Sequence, residues 1–269
     1  MIKDCISYNG EADILEIRLN VLDKVVDEFV IVEMKETFSK LSKPLYFKQQ
    51  KERFAKFLPK IKYYVNENTE EDRKLAASSP NTGGNPFWQE VFMMYESIKK
   101  PLIGSHDDDI IFISDCDEIW NPEIEFFNHR ISRLEQLVYI GYLNNRSSEP
   151  WMGTVITDYK TLKDNALNHI KAPSTQNGIT ADIIKDGGWH FTYQGGKNEL
   201  RRKLISTDTK HSHYGIPIET IEEKIEKNED FFGRGFTYWV DESQWPEYLK
   251  ENREKYKHLL NGINLLSKK

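Results

Sequence analysis

The opening of this chain leaves few folds available. An apolar run from Ile2 to Tyr8 is followed by a helical period from about Glu11 to Val26, with Leu15, Leu19, Leu22 and Val26 on one face, and then by a second apolar run, Phe29-Val30-Ile31-Val32. Strand, helix and strand in that order make a βαβ unit, in which two parallel strands are joined by a right-handed crossover. Such a sheet has helices on its faces, so its strands read as continuous apolar runs rather than alternating ones.

The same pattern continues downstream. Ile61 to Val65 predicts a third strand, Pro86 opens a helix with Phe87, Val91, Met94, Tyr95 and Ile98 on one face, and Ile110-Ile111-Phe112-Ile113 is a fully buried central strand. The stretch from Asn66 to Asn85 is rich in Asn, Glu, Ser, Thr and Gly and reads as a long loop. Beyond Asp117 the sequence predicts a helix near Pro122 to Leu134 and strands at Leu137 to Leu143, Thr154 to Thr157 and Trp189 to Tyr193. Short helices follow at about Asn198 to Ile205 and Ile218 to Asn228, then a C-terminal helix from about Pro246 to Leu260. This back half is more antiparallel in flavour. With no internal repeat, low-complexity tract or linker, residues 1–269 read as one α/β domain with a nucleotide-type front half and a more variable back half.

Composition removes whole classes of function. The 43 acidic and 37 basic side chains give a formal charge of −6, and Lys and Arg form no long cluster, so nothing attracts nucleic acid or anionic lipid in general. No apolar stretch approaches the roughly 18 residues that span a bilayer, and no secretory signal is visible. Cys5 and Cys116 fit neither a CxxC nor a zinc spacing and are read as reduced thiols, which points to the cytoplasm or the membrane periphery. Aromatic residues make up 12% of the chain, enough to line a carbohydrate site as well as a core.

The segment that carries chemistry is Ile110-Ile111-Phe112-Ile113-Ser114-Asp115-Cys116-Asp117-Glu118-Ile119, where three carboxylates cluster as the chain leaves the central strand. Ligands of open α/β sheets bind outside the carboxyl ends of the strands. Alternation sends Asp115 and Asp117 to the same side, where their repulsion asks for a shared proton or a cation. Mg²⁺ or Mn²⁺ is the natural partner, because hard cations bridge carboxylates to a diphosphate. Two chemistries use Asp-x-Asp in this setting. One is metal-dependent transfer of a sugar from a nucleotide diphosphate; the other is phosphoryl transfer with Asp115 as nucleophile and Asp117 as acid and base. The second expects the motif near the N-terminus with a Gly-Thr-type turn after it, whereas here it lies mid-chain and Glu118-Ile119-Trp120 follows.

Several segments in order, Asp13 to Leu19, Val26 to Glu33, Lys43 to Phe47, Asp108 to Ile119 and Gly188-Trp189-His190-Phe191, resemble glycosyltransferase family 17, which includes the β-1,4-mannosyl-glycoprotein 4-β-N-acetylglucosaminyltransferases. The resemblance implies a GT-A-like, Rossmann-like fold: a mixed, mainly parallel sheet flanked by helices, with a nucleotide-sugar-binding half over 1–120 and an acceptor-binding half over 121–269. It also implies an inverting mechanism, a UDP-sugar donor (UDP-GlcNAc first) with Mn²⁺ or Mg²⁺, and a glycan or lipid-linked oligosaccharide acceptor. A non-catalytic glycan-binding protein is the remaining rival.

Residue roles follow from the resemblance and the chemistry together. Asp117 is the leading metal ligand, Asp115 binds metal or donor ribose, and Glu118 orients them. Glu33, at the end of the second strand, is a candidate for uracil or ribose. A third metal ligand is sought among His190, His211 and His213, with His190 and His211 ranked first. The general base is assigned to Glu199, which opens a short helix, although Asn198 competes for the family position; Asp230 is the reserve. Arg234, between glycines, and Lys203 are candidates for the diphosphate. Trp151 and Trp189 are candidate acceptor platforms, and Trp88 is read as core.

Overall fold

The structure is a computed structural model, and it describes residues 1–126, 131–171, 180–206, 217–227, 229–230 and 232–261. Strands β1 (Ile2–Ser7), β2 (Glu28–Met34), β3 (Ile61–Asn66) and β4 (Ile110–Asp115) are parallel and lie in the order β3-β2-β1-β4. The chain steps outward from β1 to β2 and β3, then returns to place β4 on the other side of β1. That reversal makes a crevice at the carboxyl ends of β1 and β4, where Ser7 and Asp115 are level.

Side-chain alternation feeds two cores. Ile6, Phe29, Ile31 and Phe112 point to one face, against the helix Ala12–Leu22, whose Ile14, Leu15, Leu19 and Leu22 are buried. Cys5, Val30, Val32, Ile111 and Ile113 point to the other, packing with Ile98 of the helix Pro86–Lys99. Asn85 caps that helix by accepting from the Phe87 N–H at 2.9 Å, and Pro86 opens it, a position where the missing N–H costs nothing.

The second half extends the sheet in mostly antiparallel fashion through β5 (Glu118–Trp120), β6 (Ser132–Ile140), β7 (Asn145–Ser147), β8 (Trp151–Asp158), β9 (Asp182–Ile184), β10 (Gly188–Thr192) and β11 (Tyr238–Val240). Strand β8 is antiparallel to both β4 and β6, while β10 lies between β5 and β6. The β5–β10 pairing sets His190 opposite Glu118. It requires Gly188, at φ +127°, where a Cβ would stand 2.2 Å from the Ile119 carbonyl oxygen. The mixed, largely parallel sheet flanked by helices is the architecture expected of a GT-A-like fold. Cys5 and Cys116 are free and buried. No helix among the described residues is long and apolar enough to cross a membrane.

Three expectations are corrected. The long loop contains a helix, Glu70–Ser78, started by a capping box in which Thr69 accepts from the Asp72 N–H at 3.2 Å and the Asp72 carboxylate accepts from the Thr69 N–H at 3.2 Å. Residues 122–126 are not helical and Ser132–Leu134 already belong to β6, so the described part of the helix expected near Pro122 to Leu134 is turn and strand. The C-terminal helix is only Glu247–Glu251, followed by turns and the 3₁₀ segment Lys257–Leu259.

Candidate active site at the end of the fourth strand

The acidic turn after β4 is held from below by Arg18. This arginine has no solvent exposure although it lies in the apolar helix Ala12–Leu22. Its Nε and Nη2 donate to the two Asp4 oxygens at 2.7 and 2.6 Å, and Nη2 also donates to Ser114 Oγ at 2.6 Å. Its Nη1 donates to the carbonyls of Asp115, Cys116 and Glu118 at 3.2, 3.4 and 2.7 Å. Trp120 Nε1 adds a third donor to Asp4, at 3.0 Å. A buried guanidinium is tolerated only when its donors are satisfied, and here satisfying them fixes the path of the turn.

The three carboxylates emerge into different surroundings. Asp117 is buried; Lys203 donates to its Oδ2, and His190 Nε2 stands 3.7 Å from Oδ1. Burial alone would raise its pKa, but the Lys203 ammonium and His190 outweigh that and hold the carboxyl far below the usual range, while Lys203 is raised by Asp117 against its own desolvation. Asp115 is 42% exposed at its side chain, with Ser7 Oγ donating at 3.4 Å and Lys171 Nζ at 3.5 Å. Glu118 is buried and both oxygens are engaged, Oε1 by Trp151 Nε1 at 3.0 Å and Oε2 by the Asp115 N–H at 3.1 Å, with Lys171 3.8 Å away. Gly153 makes this possible, since a Cβ there would lie 2.0 Å from Gln136 Oε1, 2.7 Å from Trp151 Nε1 and 2.9 Å from Glu118 Cδ.

Two clefts meet over this turn. The first, of about 290 Å³, lies at the β1–β4 crevice and is lined by Ser7, Tyr8, Asn9, Asp117 and Lys203 among others. The second, of about 720 Å³, is lined by Arg133, Trp151, Gly153, Glu118 and Lys171. Trp88, Val91, Tyr95 and Asp115 border both. The volumes suit small-molecule ligands.

The remaining candidates fall elsewhere. Glu33 is fully buried and accepts from the Tyr46 and Phe47 N–H groups at 2.6 and 3.2 Å, from Tyr63 OH at 2.8 Å and from Lys43 at 3.1 Å. It caps the helix Tyr46–Gln50 and has no face for a nucleotide. Arg234 pairs through both Nη atoms with Glu149 at 2.5 and 2.8 Å, which removes it from phosphate duty. Asp230 accepts from Tyr238 OH at 3.1 Å and from the Phe232 N–H at 3.2 Å, organising its own loop. Glu199 pairs with Arg202 at 2.8 Å and borders neither cleft. Trp189 is core, donating to the Gln244 carbonyl, whereas Trp88 is 52% exposed at both clefts. His211 and His213 lie outside the described residues.

The expected Mg²⁺ or Mn²⁺ can be tested against this donor set. A hard cation needs several oxygens, yet one ammonium already holds Asp117 and another serves Asp115 and Glu118. Among the described residues no three His, Cys, Asp or Glu side chains converge as a metal site. His190 stacks on Trp151 at 4.3 Å, and its Nδ1 is buried without a hydrogen-bond partner. The described residues therefore do not fit the cation, and two lysines relieve the carboxylate repulsion in its place. Of the residues that build the site, Arg18, Lys171 and Arg133 carried no assigned role in the sequence reading.

Compared with known families, residues 1–195 match the model for glycosyltransferase family 17. The match takes in the acidic turn, Arg133, Trp151 and Lys171, and stops short of Glu199 and Lys203. A search of curated proteins finds no match.

Proposed function

This chain belongs to glycosyltransferase family 17, and from that premise we propose that it moves GlcNAc from UDP-GlcNAc to a hydroxyl of a glycan or lipid-linked oligosaccharide, with inversion to a β linkage. The observation that carries the reading is the position of Asp115. It is a half-exposed carboxylate bordering both clefts at the strand crevice, with Lys203 on the donor side and Lys171 beside it. The donor's uridine and diphosphate occupy the first cleft, and the acceptor sugar approaches through the second. Asp115 takes the proton from the acceptor hydroxyl as its oxygen attacks C1. The bond from C1 to the diphosphate oxygen breaks on the opposite face, and the departing charge meets the Lys203 ammonium.

Lys171 and Glu118 position Asp115 rather than react, and Asp117 positions Lys203. In this reading the lysines supply the positive charge that the sequence assigns to Mn²⁺ or Mg²⁺. Phosphoryl transfer through Asp115 is less well supported, because its acid would be Asp117, which Lys203 and His190 keep ionised.

The test is UDP release and product mass from UDP-GlcNAc and other UDP-sugars. Asp115→Asn should retain UDP binding and lose transfer, while Glu199→Gln should leave transfer near the parent rate. The opposite result returns the base to Glu199. Donor binding should survive EDTA; donor binding that appears only on adding Mn²⁺ would return the charge to a metal ion.

A further inference from the structure

Most arginines among the described residues meet a carboxylate. Arg18 pairs with Asp4, Arg53 with Asp13 and Glu16, Arg73 with Glu36, Arg202 with Glu199, Arg234 with Glu149 and Arg253 with Glu242. Among the described residues Arg146 lacks one, but its guanidinium lies 5.6 Å from the Tyr139 ring centre and 5.7 Å from that of Trp239. Arg133 has neither. Among the described residues no carboxylate stands within ion-pair distance of it, its Nη2 donates to the Met152 carbonyl, and its buried Nε has no hydrogen-bond partner.

Arg133 also lines the larger cleft, beside Trp151 and Gly153. Burial pulls the guanidinium below its ordinary pKa, and the carboxylate that opposes this, Glu118, is itself committed to Trp151, the Asp115 N–H and Lys171. A partly desolvated cation without a counter-ion is costly in the empty protein and becomes favourable when a ligand brings the anion. A guanidinium fits the planar oxygens of carboxylate and phosphate groups better than neutral hydroxyls. The indole of Trp151, whose N–H is tied to Glu118 and on which His190 stacks, also lines this cleft, where a sugar can pack against it.

We propose that the second cleft takes a saccharide carrying an oxyanion, bound by Arg133. Either the carboxylate of an acidic sugar or a sugar phosphate supplies that chemistry. The inference rests on the transfer reading for the saccharide's role as acceptor, but the binding claim can be measured without turnover.

The experiment titrates the full chain, with and without UDP, with methyl glucuronide, glucose 1-phosphate and the neutral methyl glucoside. At least one charged ligand should bind on the order of 10- to 100-fold more tightly than the neutral one, the range expected of one charge-assisted contact. Arg133→Met should erase that difference, and Arg133→Lys should restore part of it. The stronger of the two charged ligands identifies the oxyanion. Equal binding of charged and neutral ligands, or a preference that persists in Arg133→Met, overturns the proposal. If Arg133→Met fails to fold, the salt dependence of binding to the parent decides. Preference lost at high ionic strength supports an ionic contact; insensitivity to salt rejects it. UDP-GlcNAc binding is recorded on the same samples. Its absence with the charge preference intact would defeat the transfer reading and leave the oxyanion site standing.

Discussion

Two acid–base pairs flank the same turn, and they are built for different ends. Arg18 and Asp4 lie beneath it with side-chain exposures of 0% and 1% and with additional partners all around. Lys203 and Asp117 lie above it, at 24% and 6%, and the lysine opens onto a cleft. The lower pair spends every donor on the protein's own backbone and side chains. The upper pair sets its ammonium in the wall of a cleft. A charge enclosed by the protein builds structure, whereas one that borders a cleft can also meet a ligand.

The largest expected effect breaks the lower pair. Asp4→Ala should cost about 3–5 kcal/mol by stranding a buried guanidinium, read as a fall in thermal midpoint and in denaturant midpoint at unchanged m. If stability fell by less than a surface substitution does, Arg18 would not be organising the turn. Lys203→Ala leaves Asp117 with His190 still beside it, so it should cost less stability than Asp4→Ala, yet reduce transfer by about 10²–10³-fold, the loss typical of one donor to developing charge, measured as kcat/KM for UDP-GlcNAc. A variant that lost fold and activity together would erase the distinction between the pairs.

The pH dependence sharpens the same comparison. Asp117 has a folded pKa held below its ordinary value, so its stabilising effect is present above the unfolded carboxyl pKa of about 3.9 and is lost as pH falls through the folded value. Lys203 is raised, so its contribution is complete below about 10.4 and is lost as pH rises through the folded value. Stability from this pair should be flat between those limits, and Asp117→Asn should show a shallower acid limb in denaturation measured against pH. The smallest change belongs to Glu199→Gln, which removes an exposed pair with Arg202 and should alter stability by about 0–1 kcal/mol. A loss beyond that would give Glu199 a structural weight its 44% exposure does not suggest.

The front half of the fold was legible because its strands are buried on both faces. Runs such as Phe29 to Val32 and Ile110 to Ile113 allow little else. The helix at Glu70–Ser78 was hidden by its polar composition, although the Thr69 to Asp72 spacing announces its capping box. Strand β6 was read partly as helix because Ile131 and Leu134 suit either period; the alternation from Ser132 to Leu137 is the better guide. Asp115 and Asp117 stand out as a motif and Lys203 as a diphosphate candidate, but the pairing of Lys203 with Asp117 and the presence of Lys171 beside Asp115 do not, being 86 and 56 residues distant. Arg18 could have been found, since an arginine between Leu15 and Leu19 on an apolar helix face requires a partner. Glu33 illustrates the converse: a carboxylate at a strand end looked available, yet the uncapped start of the helix Tyr46–Gln50 had claimed it.

Gly153 has a consequence of its own. Gln136 Oε1, the atom nearest to where a methyl would sit, is pinned by the Thr154 N–H at 3.1 Å while Gln136 Nε2 holds the Ile119 carbonyl at 3.1 Å, so it has little freedom to retreat. A single added carbon at 153 would act as a wedge, prising Trp151 and Glu118 apart and disarming the protein without altering any group that reacts. Any residue but glycine at 153 is therefore expected to weaken whatever chemistry the turn supports.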